Sequence, residues 1–504
     1  MAGYTLRPLQ RSLINNIHKT RAGGHRRLLV TAATGFGKTV CIVELVQNYL
    51  NNRPGERVCV LVHRELILCQ IVEALVKQGL TPAIIQGGRH IRRSRVYVAM
   101  VQTFSRRLDA FAQLGLLPGL MLVDEAHHCC STTYKEIIST IQRLDKSSIL
   151  IGFTATPERT DGVGLREAGY TALVEGPQYA HLLAAGLLAD PVVIQSEDMA
   201  ELAAAPAAMA NGDYSQGGET KIFAQKAVVG RCIDLYKDYF DGAPCLVFAA
   251  SVTDAHAVDD ALRTAGWRGG VITDNTSPEE RSALIMGLGD GTYNYITSYD
   301  ILSEGVDIPI VAGCIIRRRT TSLINYLQMV GRVARLCAGK VYGIIIDQCG
   351  VSAIHGHPLE IRSWSLDGAV KRRQASVGDV TLTRCPDCYV ALAGVQCTCP
   401  YCGCVIAESK ERTRTARAKT PREIPGLFSI LPPPVQVLTQ VGQQIAEPLD
   451  TPAITITITP DSSAAIADNL GVARNMTARL WALLQEQHNT TQQQQQHKEL
   501  KNDY

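Results

Sequence analysis

The feature that most constrains the fold of this chain is a repeated alternation of short apolar runs with helix-length stretches. The first set of runs comprises Arg27–Thr31, Arg57–Val62, Tyr97–Val101, Leu120–Val123 and Ile149–Phe153. The second set comprises Cys245–Phe248, Gly270–Thr273, Asn294–Thr297, Gly313–Ile316 and Val341–Ile346. Strands that alternate with helices pair in parallel and are covered by those helices. The sequence therefore predicts an α/β chain with two doubly wound, parallel-sheet domains in tandem.

The length and composition agree with several globular domains. The chain has 504 residues, 46% hydrophobic and 19% charged, which is too long for one ordinary core. Its 50 Lys and Arg against 47 Asp and Glu give a net charge of +3, so a nucleic-acid partner must be argued from local features. Residues 1–25 are too polar for a secretory signal, and no run reaches the ~18 apolar residues of a membrane span. We expect a cytoplasmic protein without a membrane partner.

A phosphate-binding loop follows the first predicted strand. Residues 32–39 read Ala-Ala-Thr-Gly-Phe-Gly-Lys-Thr and lead into the helical segment Val40–Leu50. Small residues let successive backbone N–H groups turn towards anionic oxygens, and the helix N-terminus adds partial positive charge. Lys38 is predicted to reach the β- and γ-phosphates of ATP, and the Thr39 hydroxyl to ligate Mg²⁺. A chance Gly-Lys-Thr turn is the alternative, but the strand–loop–helix context favours the phosphate loop.

Two adjacent carboxylates end the predicted strand Leu120–Val123. Asp124 is placed to hold Mg²⁺, and Glu125 to orient or deprotonate the attacking water. Phosphoryl transfer needs both roles, because one carboxylate cannot neutralise the metal and also act on water. The residues that follow are His127, His128, Cys129 and Cys130. We do not predict a metal site there, since adjacent side chains rarely converge on one ion.

These motifs, with others in matching order from Leu6 to Pro358, resemble the helicases of superfamily 2, specifically the Asp-Glu-Ala-His group. The resemblance implies two RecA-like domains that hydrolyse ATP and move on nucleic acid. One departure is Ala32, which stands where the family usually has Gly. The downstream segment His355–Pro358 looks like one found in members that are often bacterial or phage-encoded, which implies a bacterial cell or a phage-infected host.

The resemblance also assigns residues of the first domain. The implied nucleotide-binding positions are Arg7, Gln10, Ala32, Ala33, Thr34, Gly35, Phe36, Gly37, Lys38 and Thr39, with Gln10 as the base contact. The implied contacts with the nucleic-acid backbone are His63, Arg64, Gln102 and Thr103. Thr154 and Thr156 are implied to couple hydrolysis to movement through their hydroxyls.

The second domain contributes the rest of the implied site. These residues are Ser251 for nucleic acid, Gly305 and Asp307 near the ribose, and Gln328, Arg332 and Arg335 of an arginine-finger motif. Arg332 and Arg335 are three residues apart, so on a helix they would share one face and aim at one γ-phosphate. A solvated basic face is the alternative, and we expect it for parts of Arg317–Arg319.

Four cysteines form a C-x₂-C-x₁₀-C-x₂-C pattern at Cys385, Cys388, Cys399 and Cys402. Two such turns predict a closed tetrahedral site for structural Zn²⁺. The additional Cys397 and Cys404 leave some ambiguity in the choice of ligands. The basic residues around the cluster suit either a nucleic-acid contact or a soluble linker.

The expected organisation has five parts. They are an ATP-binding domain at 1–190, a connector at 191–228, a second helicase domain at 229–360, a zinc ribbon at 380–406 and a flexible basic tail at 407–504. The tail contains a candidate helix at 464–487 and could recruit a protein partner. We expect an ATP-dependent helicase or translocase on DNA. The alternatives are an RNA helicase and the motor subunit of a restriction or defence assembly.

Overall fold

The computed structural model describes residues 5–406, except 197–198, 206–208, 211–212, 224, 301, 303–307, 338, 369–381 and 394–395. The predicted tail with its helix therefore lies outside the described residues, as do Gly305 and Asp307. None of the helices that the structure describes has both the length and the apolarity to cross a membrane.

The first domain is a seven-stranded parallel sheet flanked by helices. Its strands are β1 (Arg27–Thr31), β2 (Val58–Val62), β3 (Ala83–Ile85), β4 (Val96–Met100), β5 (Leu120–Val123), β6 (Ile149–Thr154) and β7 (Ala172–Glu175). Its helices are α1 (Pro8–Ala22), α2 (Lys38–Asn52), α3 (Glu65–Lys77), α4 (Val101–Gln113), α5 (Thr132–Leu144) and α6 (Tyr179–Ala184). The strand order is β3-β4-β2-β5-β6-β1-β7. The inner strand β2 is apolar and buried throughout, because helices cover both faces of the sheet.

The second domain is an eight-stranded mixed sheet. Its strands are β8 (Asp190–Gln195), β11 (Cys245–Phe248), β12 (Gly269–Ile272), β13 (Tyr295–Ser298), β14 (Gly313–Ile316), β15 (Tyr342–Asp347), β16 (Leu382–Arg384) and β17 (Val390–Ala393). Between β8 and β11 lie α7 (Met199–Ala204), β9 (Met209–Ala210), β10 (Asp213–Tyr214), α8 (Gln216–Phe223) and α9 (Lys226–Tyr239). The later helices are α10 (Val252–Thr264), α11 (Pro278–Gly289), α12 (Leu323–Val333) and α13 (Val351–His355). The strand order is β12-β13-β11-β14-β15-β8-β17-β16.

The predicted fold class of two tandem parallel-sheet domains is confirmed. Every run predicted as a strand is a strand, with bounds shifted by one residue at most. Five strands of the two large sheets have no counterpart in the prediction: β3, β7, β8, β16 and β17. β3, β7 and β16 are edge strands, β17 lies next to an edge, and β8 lies inside the second sheet between β15 and β17.

Part of the segment predicted as a connector belongs to the second sheet. Strand β8 pairs in parallel with β15, from Asp190 opposite Tyr342 to Gln195 opposite Asp347. Val192, Val193 and Ile194 are buried in this strand. The second sheet therefore begins at Asp190, well before residue 229 where we placed the second domain.

The Cys-rich segment is likewise joined to the second sheet. Strands β16 and β17 form an antiparallel hairpin, and β17 pairs antiparallel with β8. The Arg384 guanidinium donates to the carbonyls of Gln195 (3.2 Å), the last residue of β8, and Ser196 (3.3 Å), the next residue. Since β17 covers an edge that would otherwise expose unpaired backbone groups, the cysteine module is an extension of the second domain.

We expected a solvated basic face for parts of Arg317–Arg319, but two of these three arginines are buried. Arg317 is 0% exposed and Arg319 is 2% exposed, so the expectation is wrong for both. Arg317 binds the Asp254 carboxylate at 2.6 and 3.1 Å, and Arg319 binds the Glu219 carboxylate at 2.6 and 2.8 Å. The pair of Arg317 is bidentate, whereas both guanidinium hydrogen bonds of Arg319 go to Glu219 Oε1. In each case a charged hydrogen-bond partner compensates for removing the guanidinium from water.

Asp190 gives the fold a predicted pH dependence. Burial raises the pKa of its carboxyl to about 6, from an ordinary value of 3.8. A raised folded-state pKa means that stability is highest when the group is protonated and falls as pH rises through about 6. At pH 8, Asp190→Asn should therefore raise the free energy of unfolding by up to about 3 kcal/mol.

The measurement is urea unfolding of both proteins at pH 8 and near pH 4.5. The difference should shrink at the lower pH, because wild-type Asp190 is then largely protonated in the folded state. An equal difference at both pH values would contradict the assignment.

Candidate active site between the two domains

The phosphate loop connects β1 to α2 and is anchored at both sides. The backbone N–H of Ala32 donates to the Thr154 carbonyl (3.0 Å), and that of Ala33 donates to the Pro177 carbonyl (3.1 Å). Gly35 and Gly37 have φ values of 86° and 93°, a left-handed conformation that side chains disfavour. Glycine is therefore favoured at positions 35 and 37 by the backbone conformation of the loop. Helix α2 starts directly after the loop, at Lys38.

Gln10 contacts the phosphate loop from α1. Its Nε2 donates to the Phe36 carbonyl (3.1 Å), and its Oε1 accepts from the Arg7 backbone N–H (3.0 Å). A Cβ at residue 37 would lie 2.6 Å from Gln10 Nε2, which adds a second reason for Gly37. Gln10 therefore supports the loop in this structure, and its contact with the base stays a prediction.

The paired carboxylates lie at the end of β5 beside the loop. Burial, and next the charge of Glu125, raise the pKa of Asp124 to about 6, while Lys38 acts in the opposite direction. Lys38 Nζ is 3.4 Å from Glu125 Oε1. Glu125 itself has a φ of 50°, a strained value for a non-glycine residue of the kind often held at functional sites. A divalent cation near these groups would offset the cost of ionising two adjacent carboxylates, so the donors fit Mg²⁺.

His127 connects the carboxylates to the end of β6, a role that the sequence reasoning missed. Its Nδ1 is 3.3 Å from Glu125 Oε2 and 3.2 Å from Thr154 Oγ1. The Thr154 hydroxyl in turn donates to the Thr156 carbonyl (2.7 Å). The two predicted coupling threonines therefore reach the Asp124–Glu125 turn through an imidazole.

A row of three histidines with tilted rings extends from this turn to the end of β2. The rings of His127 and His128 have centroids 4.1 Å apart, and those of His128 and His63 are 4.4 Å apart. Within the described part of the chain, the residues grouped closely enough to hold a metal are the four cysteines, not these histidines. This row places His63, predicted to touch nucleic acid, in contact with the residues around Glu125.

The other predicted nucleic-acid residues fall into two environments. Arg64 follows β2, and Gln102 and Thr103 lie in the first turn of α4 after β4, so they share the carboxyl edge of the first sheet. Ser251 is different, because it is 1% exposed and its hydroxyl caps α10 by accepting from the Asp254 N–H (3.1 Å). The structure therefore uses the Ser251 side chain as a helix cap.

Helix α12 of the second domain touches the phosphate loop. A Cβ at Gly331 would lie 2.5 Å from both Cβ and Cγ2 of Thr34, so only glycine fits this contact. Gln328 and Arg332 are buried on this helix. The expectation that Arg332 and Arg335 share a helical face is wrong, because α12 ends at Val333 and Arg335 lies beyond it.

The chain returns to the first domain after α13. The Gln178 amide donates to the Arg362 carbonyl (2.5 Å) and accepts from the Arg362 N–H (2.9 Å). Further on, Leu366 is buried in the first-domain core, and Arg166 pairs with Asp367 at 2.5 Å. A small cavity, about 30 Å³, lies between this segment, α12 and residues 31–34. The two domains are thus tied together beside the candidate active site.

A second candidate site consists of the four predicted cysteines. Their Sγ atoms all lie within 4.8 Å of one another, with Cys385 to Cys402 at 3.5 Å and Cys388 to Cys399 at 3.6 Å. A tetrahedral Zn²⁺ with ligands at ~2.3 Å separates its sulfurs by roughly 3.8 Å, so the cluster fits this ion. Cys397 and Cys404 lie outside the group.

The contact between Gly331 and Thr34 leads to a prediction. Gly331→Ala should lower the maximal rate of ATP hydrolysis by at least about tenfold, because the new methyl group separates the domains where two halves of the site must meet. The control is Gly230→Ala in α9, where a Cβ would meet no atom within 4 Å. Steady-state ATP turnover of the three proteins tests it, and normal turnover of Gly331→Ala would rule out a need for this contact.

Comparison with family models supports the same two units. Residues 3–159 match the model described as "Type III restriction enzyme, res subunit", and residues 228–337 match "Helicase conserved C-terminal domain". A 51.5 kDa protein of a Lactococcus phage is 27% identical over 380 residues, covering 74% of this chain and 77% of the relative. A Schizosaccharomyces pombe protein named as a mitochondrial ATP-dependent helicase is 28% identical, covering 68% of this chain and 57% of the relative. The chain thus spans little more than half the length of that relative.

Solved structures show the same fold at low sequence identity. A fragment assigned to the HsdR subunit of a type I restriction enzyme from Vibrio vulnificus has a TM-score of 0.52 and 20% identity, and the match covers 71% of this chain and 67% of that chain. The ATP-dependent restriction-modification enzyme LlaBIII, bound to DNA, has a TM-score of 0.50 and 16% identity, with 68% and 28% covered. At these identities the likeness concerns the fold alone.

Proposed function

The chain belongs to the superfamily 2 helicases, the ATP-driven motors of nucleic acids, and we propose that it couples ATP hydrolysis to movement along DNA. The single observation that carries the proposal is the contact of Gly331 with Thr34. It joins a helix of the second domain to a phosphate loop whose Lys38 and neighbouring carboxylates belong to the first. A site shared in this way changes whenever the domains separate, which is what a translocating motor requires.

The proposed mechanism assigns a role to each half of the site. Lys38 would bind the phosphates, and Thr39 and Asp124 would hold Mg²⁺, which would neutralise phosphate charge. Glu125 is placed to orient the attacking water. Domain closure brings Arg332 to the γ-phosphate. Arg335 has the same proposed role, but it acts from the segment after α12 rather than from the helix.

We prefer DNA to RNA as the nucleic acid on which the motor moves. The match of residues 3–159 to a restriction-enzyme subunit model favours DNA over RNA and also supports the second candidate, a motor subunit of a restriction or defence assembly.

The phage relative supports a cytoplasmic location in a bacterial cell or a phage-infected host. A protein partner would be recruited by residues 407–504.

ATP turnover with single-stranded DNA, duplex DNA and RNA tests the motor and its track. We expect DNA to stimulate turnover more than RNA does. Lys38→Ala should reduce turnover on the order of 100-fold, because a charge that stabilises the transferred phosphoryl group is lost. Glu125→Gln should bind ATP but hydrolyse it at a similarly reduced rate.

The matched control is Lys77→Ala, which removes an exposed lysine from α3. It should leave turnover unchanged. If Lys38→Ala kept wild-type turnover, the proposed active site would be wrong, and stimulation by RNA alone would overturn the choice of DNA.

We further propose that Cys385, Cys388, Cys399 and Cys402 hold one structural Zn²⁺. The residues that follow each second cysteine, Tyr389 and Gly403, both have left-handed φ values, 60° and 75°. The two turns are therefore alike, as expected of paired zinc knuckles. The ion would stabilise the hairpin that covers β8.

Removal of two ligands tests the zinc site. Cys385→Ser/Cys388→Ser should lose about one zinc per chain and lower the unfolding temperature of the second domain, since metal binding is coupled to folding. Cys397→Ser, outside the cluster, is the control and should keep its zinc. The zinc content of each protein is measured by mass spectrometry. A double variant that kept as much zinc as wild type would refute the proposed site.

A further inference from the structure

The segment after α13 forms a further connection between the two domains, besides the link from α6 to β8. It leads from the second domain back to the first, and Arg362 is held by both. The Arg362 guanidinium donates to the carbonyls of His355 (2.9 Å) and His357 (3.1 Å) at the end of the second domain. Its backbone pairs with the Gln178 side chain of the first domain. We call residues 362–368 the strap.

The strap fits the first domain by direct contact of one backbone with another. Gly164 has an ordinary φ of −75°, yet a Cβ there would lie 2.6 Å from the Gly368 nitrogen and would overlap the Leu366 carbonyl. Gly368 has a φ of 87°, and a Cβ there would overlap the Gly162 carbonyl. Glycine in each segment allows the two backbones to lie this close, so the contact is specific to these two loops.

Two further interactions fix the strap at this place. Leu366 is buried in a core cluster of the first domain, and its carbonyl accepts a hydrogen bond from the Arg166 N–H (2.9 Å). The Arg166 guanidinium also pairs with the Asp367 carboxylate at 2.5 Å, and both side chains are more than half exposed. Because an exposed ion pair contributes little, docking of the strap depends mainly on Leu366 and on the close backbone fit.

The loop that receives the strap also contacts the turn that bears His127. This loop follows β6 and the predicted coupling threonines, and its Arg159 guanidinium donates to the His127 carbonyl. The Asp161 carboxylate holds the Arg159 side chain through hydrogen bonds of 3.0 and 2.5 Å. In the opposite direction, the Cys130 thiol of the turn donates to the Gly164 carbonyl (3.7 Å). The loop and the turn are therefore joined at two points.

We propose that docking of the strap positions the turn that carries Glu125, so that the second domain controls the carboxylate that acts on water. The inference rests on the role of Glu125 in the proposed function. His127 lies between the loop and this carboxylate, with its Nδ1 3.3 Å from Glu125 Oε2. Because Glu125 has a left-handed φ of 50°, its orientation depends on support from its neighbours. A strap displaced from the loop removes part of this support, and hydrolysis slows.

Gly164→Ala tests the proposal, because alanine suits this backbone conformation and its Cβ meets the strap first. Leu366→Ala weakens the same contact from the side of the strap. The control is Gly55→Ala in the first domain, where a Cβ would meet no atom within 4 Å. Hydrogen exchange of the Arg166 amide measures displacement of the strap, because the Leu366 carbonyl accepts from this amide in the docked state.

We expect Gly164→Ala to lower the kcat of ATP hydrolysis about tenfold and to leave the KM for ATP within about twofold of wild type, because the phosphate-binding groups are unchanged. The Arg166 amide should exchange faster in this variant. Leu366→Ala should show the same pattern more weakly. The double variant should match Gly164→Ala alone, since a strap that is already displaced has no further contact to lose. Gly55→Ala should behave as wild type.

Three results would overturn the proposal. A wild-type kcat in Gly164→Ala, with faster exchange of the Arg166 amide, would show that hydrolysis does not depend on the strap. Unchanged exchange would show that the two segments do not fit closely. Losses that add in the double variant, or a raised KM with an unchanged kcat, would assign the strap a different role. Failure of the proposed function is recognised separately, because Glu125→Gln would then keep wild-type turnover.

Discussion

The close approach of Gly331 to Thr34 is the contact on which the rest of the candidate site depends. Neither domain has a complete set of groups for ATP hydrolysis, because Lys38 and the carboxylates lie in one and the arginine-bearing helix α12 in the other. A side chain at position 331 would hold the two apart. The hydrogen bonds between Gln178 and Arg362 keep the two domains adjacent beside this contact. The domains therefore need to move only a short distance to close.

One buried ion pair and a second carboxylate hold the segment that leads into α12. Arg319 lies shortly before this helix and is bound by Glu219 of α8, and Asp213 accepts hydrogen bonds from Thr320 (2.6 Å) and the Thr321 N–H (2.7 Å). An unpaired charge in such a place would cost several kcal/mol. The segment between the domains is therefore part of the support for the helix that reaches the phosphate loop, and it is more than a linker.

Sequence patterns predicted the inner strands well, because a fully buried parallel strand is a short run of apolar residues bounded by polar segments. They missed β8 and the edge strands, whose pairing depends on partners far along the chain. Arg317 and Arg319 were misjudged for the same reason. Their carboxylate partners are 63 and 100 residues away, and no local signal links them.

Local chemistry alone determined the phosphate loop, the Asp124–Glu125 pair and the four cysteines, because each depends on residues close together in sequence and on a turn that those residues themselves prefer. Only the tertiary structure decided what these groups meet. In the folded chain α12 ends before Arg335, and the Ser251 side chain caps a helix. His127 connects Glu125 with Thr154, and the cysteine hairpin pairs with β8. The Ser251 cap is a local contact that a serine three residues before Asp254 could have indicated. The other outcomes depend on partners far along the chain or on the residue where a helix ends, which the spacing of a motif does not encode.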